Sequence, residues 1–107
     1  MSRDNKEYFL SINNILFFEA IDSKTYAHTN KNVYTTKHRL YELENILPGY
    51  FIRISKSAII NSNRILSINR NLTGPGLIHF SSSHKQINVS RQYYKKLRDK
   101  LTGKKLT

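Results

Sequence analysis

The chain has 107 residues, 38% of them hydrophobic and none of them cysteine, with 18 Lys and Arg against 7 Asp and Glu for a formal charge of +11. That length makes one domain with a modest core, and the lack of cysteine excludes disulfides and thiolate metal sites and fits a reducing, cytoplasmic setting. No apolar run approaches the roughly 18 to 20 residues of a membrane span, and the opening MSRDNKEY lacks the apolar stretch of a signal peptide.

Residues 1–7 read as an N-terminal extension or expression remnant, residues 8–101 as the domain and 102–107 as a flexible basic tail. EYFLSI (7–12) and ILFFEAI (15–21) alternate as strands, the second too continuously apolar to be half exposed and therefore a core strand. KTYAHT (24–29), the turn NKN (30–32) and VYTTK (33–37) predict a hairpin rich in Thr, Tyr and Val. RLYELENIL (39–47) repeats Leu40, Leu43 and Leu47 at helical spacing, and Pro48 with Gly49 stops it.

FIRIS (51–55) is extended again, while SAIINSN (57–63) loses strict alternation and ends in turn-forming Asn and Ser. RILSINR (64–70), a Gly-Pro-Gly turn in 72–76, LIHF (77–80) and KQINV (85–89) predict a small meander. RQYYKKLRDKL (91–101) closes the chain as a helix with Tyr94, Leu97 and Leu101 on one face and Ser90 as its N-cap. Short strands with two short helices and no strand–helix alternation point to a mainly β, antiparallel fold.

The charge is one-sided. Residues 1–52 carry six cations and six acids, whereas 53–107 carry twelve cations (53, 56, 64, 70, 85, 91, 95, 96, 98, 100, 104, 105) against Asp99 alone. Repulsion on that scale is tolerated mainly where a polyanion is the partner; the plain alternative is a solvated basic face kept for solubility.

Catalysis finds little support, because Glu42 and Glu44 fall on opposite sides of their helix and make neither an acid/base pair nor an oxygen cage for a metal. His79 and His84 have a spacing seen in zinc sites, but no thiol or carboxylate joins them, and His28 and His38 read as strand and helix-edge polar residues. No enzyme, metal or cofactor is therefore expected. The stronger signal is cations interleaved with small donors, as in RISKS (53–57), NSNR (61–64), NRN (69–71), SSSHK (81–85) and VSRQ (89–92), the set that contacts phosphate oxygens. Arg91 would lie at the positive end of a helix dipole, a conflict that an anion there resolves. Lys96, Arg98 and Lys100 fall toward the other end, where cations stabilise a helix anyway.

The ordered set ILFFEA (15–20), RLYELENILPGYFIRISKSAIIN (39–61), RILSI (64–68) and INVSRQYYKKL (87–97) resembles the LytTR family of bacterial DNA-binding domains. The resemblance implies an elongated antiparallel β sandwich of short sheets with two short helices. It also implies sequence-specific reading of double-stranded DNA by loops in successive grooves, with two copies on paired direct repeats about one helical turn apart. Carried over by position, the loop after Ala20 offers Lys24, the middle segment Ser55 and Lys56, and the VSR segment Arg91, while the clusters of cations and small donors add Arg64 and Ser90, and the basic last helix Lys95, as candidate DNA contacts. Arg53 either contacts a phosphate or braces the RISKS loop through backbone carbonyls. The chain departs from the family pattern where relatives often show His and Arg, having Ser55 and Lys56 instead. Relatives commonly carry a receiver domain ahead of this one, so both an excised output domain and a stand-alone regulator controlled by another, membrane-bound protein fit the resemblance.

Two rivals come from other classes. One is a β-barrel RNA or single-strand binder using Tyr8, Tyr26, Tyr34 and Phe80 as stacking platforms, and the other a basic adaptor for acidic proteins or anionic membrane.

Overall fold

The segments that alternate with period two pair into two antiparallel sheets in the computed structural model, which describes residues 1–69 and 76–104. The larger sheet holds β1 (Ser2–Arg3), β2 (Lys6–Glu7), β3 (Phe17–Ile21), β4 (Lys24–His28), β5 (Val33–Thr36), β6 (Phe51–Ser55) and β7 (Ala58–Asn61), in the order β2-β1-β5-β4-β3-β7-β6. The smaller is the expected meander of β8 (Ile65–Asn69), β9 (Leu77–Phe80) and β10 (Gln86–Asn88). With helices α1 (Leu40–Ile46) and α2 (Arg91–Lys104) the fold measures 42 × 26 × 25 Å, the elongated, mainly β sandwich that the resemblance implies.

Alternation divides the large sheet's side chains between two cores. Leu16, Phe17, Ile52, Ile54, Ala58 and Ile60 meet Ile78 and Phe80 of β9 with Val89 and Leu97 at α2. Ile15, Phe18, Ala27, Tyr34, Phe51 and Ile59 lie under Leu40 and Leu43 of α1. The loss of alternation in β7 follows directly: it is an interior strand with both faces covered, so Ala58, Ile59, Ile60 and Asn61 are all buried.

Both helices form where spacing placed them. Glu42 Oε1 accepts the Arg39 amide at 2.9 Å, one half of a capping box for α1. Tyr93, Tyr94, Leu97 and Leu101 of α2 pack on the smaller sheet's core. α2 runs to Lys104, three residues past the predicted end.

Two expectations change. EYFLSI is not a strand: only Glu7 belongs to one (β2), Tyr8 N donates to Met1 O at 2.6 Å and Tyr8 O accepts from the Met1 amine at 3.0 Å, residues 9–11 lie outside any strand, and Ile12–Asn14 is a 3-10 turn. Its period two arises because Tyr8, Leu10 and Ile12 pack on the α1-side core while Phe9, 93% exposed, points away. Ser90 stands at the N-cap position, but its Oγ is buried without a hydrogen-bond partner, so the hydroxyl does not cap α2. The Gly-Pro-Gly turn lies outside the described residues except for Gly76, as do Arg70 and Asn71 of NRN and residues 105–107 of the tail. Residues 1–7 form an edge hairpin joined to the sheet through Ser2 opposite Thr35.

Candidate nucleic-acid interface

Strand register brings three connections to one end of the large sheet. The β3–β4 turn pairs Ile21 with Lys24 around Asp22 and Ser23, whose φ values of 50° and 66° give a two-residue turn of the kind that matches strand twist. Beside it, Ala20 N donates to Ser57 O at 2.8 Å, so the β6–β7 turn at Lys56 is its neighbour. The third is the start of α2, where Ser90 N donates to Ile54 O at 2.9 Å.

That last bond depends on an irregularity. The pairing of β6 with β7 shifts between Arg53 opposite Ile59 and Ser55 opposite Ala58, leaving Ile54 as the extra residue of a bulge. A bulged residue stands outside the ladder, and its carbonyl is thereby available to the entering helix. Ile54 itself is fully buried, so the bulge also anchors the turn that follows.

Lys24 and Lys56 are exposed at this end, and the Lys56 ammonium makes no hydrogen bond or ion pair among the described residues. Ser55 Oγ accepts the Ser57 amide at 3.2 Å and shapes the turn from within. Arg91 and Lys95 are exposed and one helical turn apart on α2. Two cations that sequence reasoning missed join them. Lys37 and Arg39 follow the end of β5, where Thr36 pairs with Thr25, and with Lys24 they line an open depression of about 630 Å³. A hairpin over 24–37 brings its two ends together, and that held the signal for Lys37 beside Lys24.

Arg53 is engaged within the protein. Its Nε donates to Ser55 O at 2.7 Å, Nη2 donates to Lys56 O, and Nη1 pairs with Glu44 of α1. Of the two roles open to Arg53, the bracing of the RISKS loop is present, with an acidic partner that lies nine residues back on the helix.

The basic clusters do not all gather together. Arg64 lies toward the opposite end of the large sheet, where its Nε donates to Asn13 O at 2.8 Å and Nη2 to Asn14 Oδ1 at 3.2 Å. SSSHK is there too, since Ser83 Oγ donates to Asn30 O and Lys85 Nζ to Asn32 O at 2.9 Å. Lys85 Nζ also approaches His28 Nδ1 at 3.3 Å, and His28 Nε2 lies 2.8 Å from Glu19 Oε1. The tautomer that satisfies both contacts carries its proton on Nε2, donating to Glu19 and accepting from Lys85. Burial, then the Lys85 charge, lower the His28 pKa below its usual 6.5, and Glu19 opposes them only in part. The ring is thus neutral near pH 7, stacked on Phe17 with centroids 4.2 Å apart.

Of the four aromatics read as possible stacking platforms, Phe80 and Tyr34 are buried, and Tyr8 and Tyr26 are half-buried. Phe80 is 1% and Tyr34 6% exposed, and Tyr8 packs edge-on against Tyr34 at 5.1 Å. Among the described residues no group of three His, Asp or Glu could hold a metal, and no helix is long and apolar enough to cross a membrane.

The sequence profile of the LytTr DNA-binding domain matches residues 5–102. Proteins of two Staphylococcus aureus strains, NCTC 8325 and bovine RF122, described as uncharacterized HTH-type transcriptional regulators, are 31% and 32% identical over 99 residues, which cover 92% of this chain and 67% of theirs. Here α1 and α2 are separated by five strands, so the two do not form a helix-turn-helix. In structure the chain is similar to the LytTr DNA-binding domain of a Bacillus cereus protein described as a methyl-accepting/DNA response regulator, with a TM-score of 0.82, 29% identity and coverage of 95% of this chain and 93% of that one. A fold and a sequence profile that agree over nearly the whole chain make it a member of the LytTR family of DNA-binding domains.

Proposed function

We propose that the chain reads double-stranded DNA sequence-specifically for a bacterial transcriptional regulator in the cytoplasm, by setting the turns at Lys24 and Lys56 and the start of α2 into successive grooves on one face of the duplex. The observation that carries this reading is the Ser90 N to Ile54 O bond, which holds the helix start against the β6–β7 turn while Ala20 N holds the β3–β4 turn on its other side. Three protrusions from one rigid sheet end suit a helical groove better than a flat basic face does.

Roles follow from side-chain chemistry. Arg91 holds guanine O6 and N7 through two parallel bonds, and Lys24, Lys56 and Lys95 neutralise phosphates. Lys37 and Arg39 extend the phosphate track. Ser55 shapes the turn through its hydroxyl, Ser90 places the helix start through its amide, and Arg64, tied to Asn13 and Asn14, stays off the duplex. The domain proper spans 8–101, and two copies occupy paired direct repeats on one side of the helix. Control comes from a receiver domain or from another, membrane-bound protein.

The test is a duplex recovered by this chain from a randomised pool. It should bind more tightly than its separated strands or a scrambled duplex, and heparin should displace it less readily than it displaces the scramble. Equal binding of all three nucleic acids would contradict sequence-specific reading.

A further inference from the structure

We infer that Arg53 and Glu44 act together as positioning residues for DNA recognition, a brace from α1 to the β6–β7 turn that sets the turn's shape without touching the duplex. The inference rests on the reading that this turn enters a groove.

Alternation in β6 decides which way Arg53 faces. Ile52 and Ile54 are buried against the smaller sheet, so Phe51 and Arg53 turn to the opposite face, where α1 lies. The strand ladder ends at Ser55 opposite Ala58, and the turn beyond it needs donors from elsewhere. Arg53 supplies them, with Nε on Ser55 O and Nη2 on Lys56 O, while Nη1 meets Glu44 Oε1. One planar guanidinium thus fixes two successive carbonyls and is itself held by a carboxylate on a separate element. A lysine ammonium lacks the fork needed to reach these three acceptors in one plane.

Burial and charge argue against a phosphate contact by the same group. The Arg53 side chain is 18% exposed, and its charge is already met by Glu44. A cation neutralised within the protein displaces no counterion from DNA, so it adds nothing to the salt dependence of binding. A phosphate-contacting arginine would add about one to that slope.

The experiment compares Arg53→Lys, Arg53→Ala and Glu44→Gln with the unaltered chain, on the duplex recovered from a randomised pool and on a scramble of it, across a salt series. Arg53→Lys should lower the ratio of the two affinities about tenfold and Glu44→Gln about threefold, as expected for losing positioning hydrogen bonds. Both should leave the salt slope unchanged and melt cooperatively; Glu44 is outside both cores, which keeps its variant informative should Arg53→Lys fold poorly. An unaltered ratio in either variant would overturn the brace. A slope reduced by about one in Arg53→Ala would make Arg53 a phosphate contact instead. An unaltered chain that cannot distinguish the two duplexes would sink the underlying DNA reading and is recognised before any variant is compared.

Discussion

The amide of Ser90 donates to the carbonyl of Ile54 over 2.9 Å, and this bond joins the last helix to the bulged edge strand just before Lys56. On the proposed reading, recognition is spread over elements far apart in sequence, and the effect of a substitution depends on whether it removes a contact to DNA or the scaffold that presents it.

The proposed roles of Arg91 and Lys95 predict two kinds of contact from one helix. Arg91→Ala should relax preference at particular base pairs, with a loss of about 1 to 3 kcal/mol on the recovered duplex and little on a scrambled one. Lys95→Ala should weaken both alike and lower the salt slope by about one. Fluorescence anisotropy across a salt series measures both; an equal loss on both duplexes for Arg91→Ala would remove its base-reading role.

Asn61 is buried, with Nδ2 donating to Ile15 O at 3.0 Å and Oδ1 accepting the Asn63 amide at 3.0 Å. Asn61→Leu deprives both backbone groups of their partner, and the unsatisfied carbonyl should cost about 1 to 3 kcal/mol in urea denaturation. A variant as stable as the parent would show that these bonds contribute nothing net.

Gly76 sits where β8, α2 and the segment before it converge. A Cβ there would lie 2.7 Å from Ile68 Cγ2, 3.1 Å from Tyr94 and 3.2 Å from Val89. Gly76→Ala should lower the melting temperature, with overpacking on the order of 1 to 3 kcal/mol. An unchanged melting temperature would mean that Ile68 moves aside at no cost.

His28 makes stability depend on pH. Its pKa is lowered in the folded chain, by burial first and then by Lys85, so the unfolded chain takes up a proton near the usual 6.5 while the folded one resists it. Proton uptake then favours unfolding: stability is full above about 6.5 and falls as pH drops through that value toward the folded pKa. The urea midpoint should fall between pH 7.5 and 5.5 in the parent, and the fall should be smaller in His28→Gln, which keeps hydrogen-bonding capacity but does not titrate. Equal falls in both would assign the effect to other groups.

Much of this fold can be read from periodicity. Phe17 and Phe18 announce a strand buried on both faces, the 24–37 hairpin carries its own register, and Leu40 and Leu43 mark the buried stripe of α1. The segment at Tyr8, Leu10 and Ile12 misleads because a chain crossing a core face at extended spacing repeats apolar residues as a strand does, although beyond Tyr8 it belongs to no strand. The bulge at Ile54 and the Glu44 partner of Arg53 are tertiary relationships that no local pattern encodes. Charge counting found the basic half, but Arg64 and Lys85 lie toward the sheet's other end and hold loops there, so excess charge alone marks the partner's class and not its footprint.

The most direct test of the interface is amide chemical-shift mapping as the recovered duplex is added to the chain. The largest changes should fall at Asp22–Lys24, Ser55–Ser57 and Ser90–Gln92, while the opposite turns at Thr29–Asn32 and Pro48–Tyr50 stay in place. Dominant shifts at Thr29–Asn32 or along the outer face of α1, with the first three segments unmoved, would contradict the account.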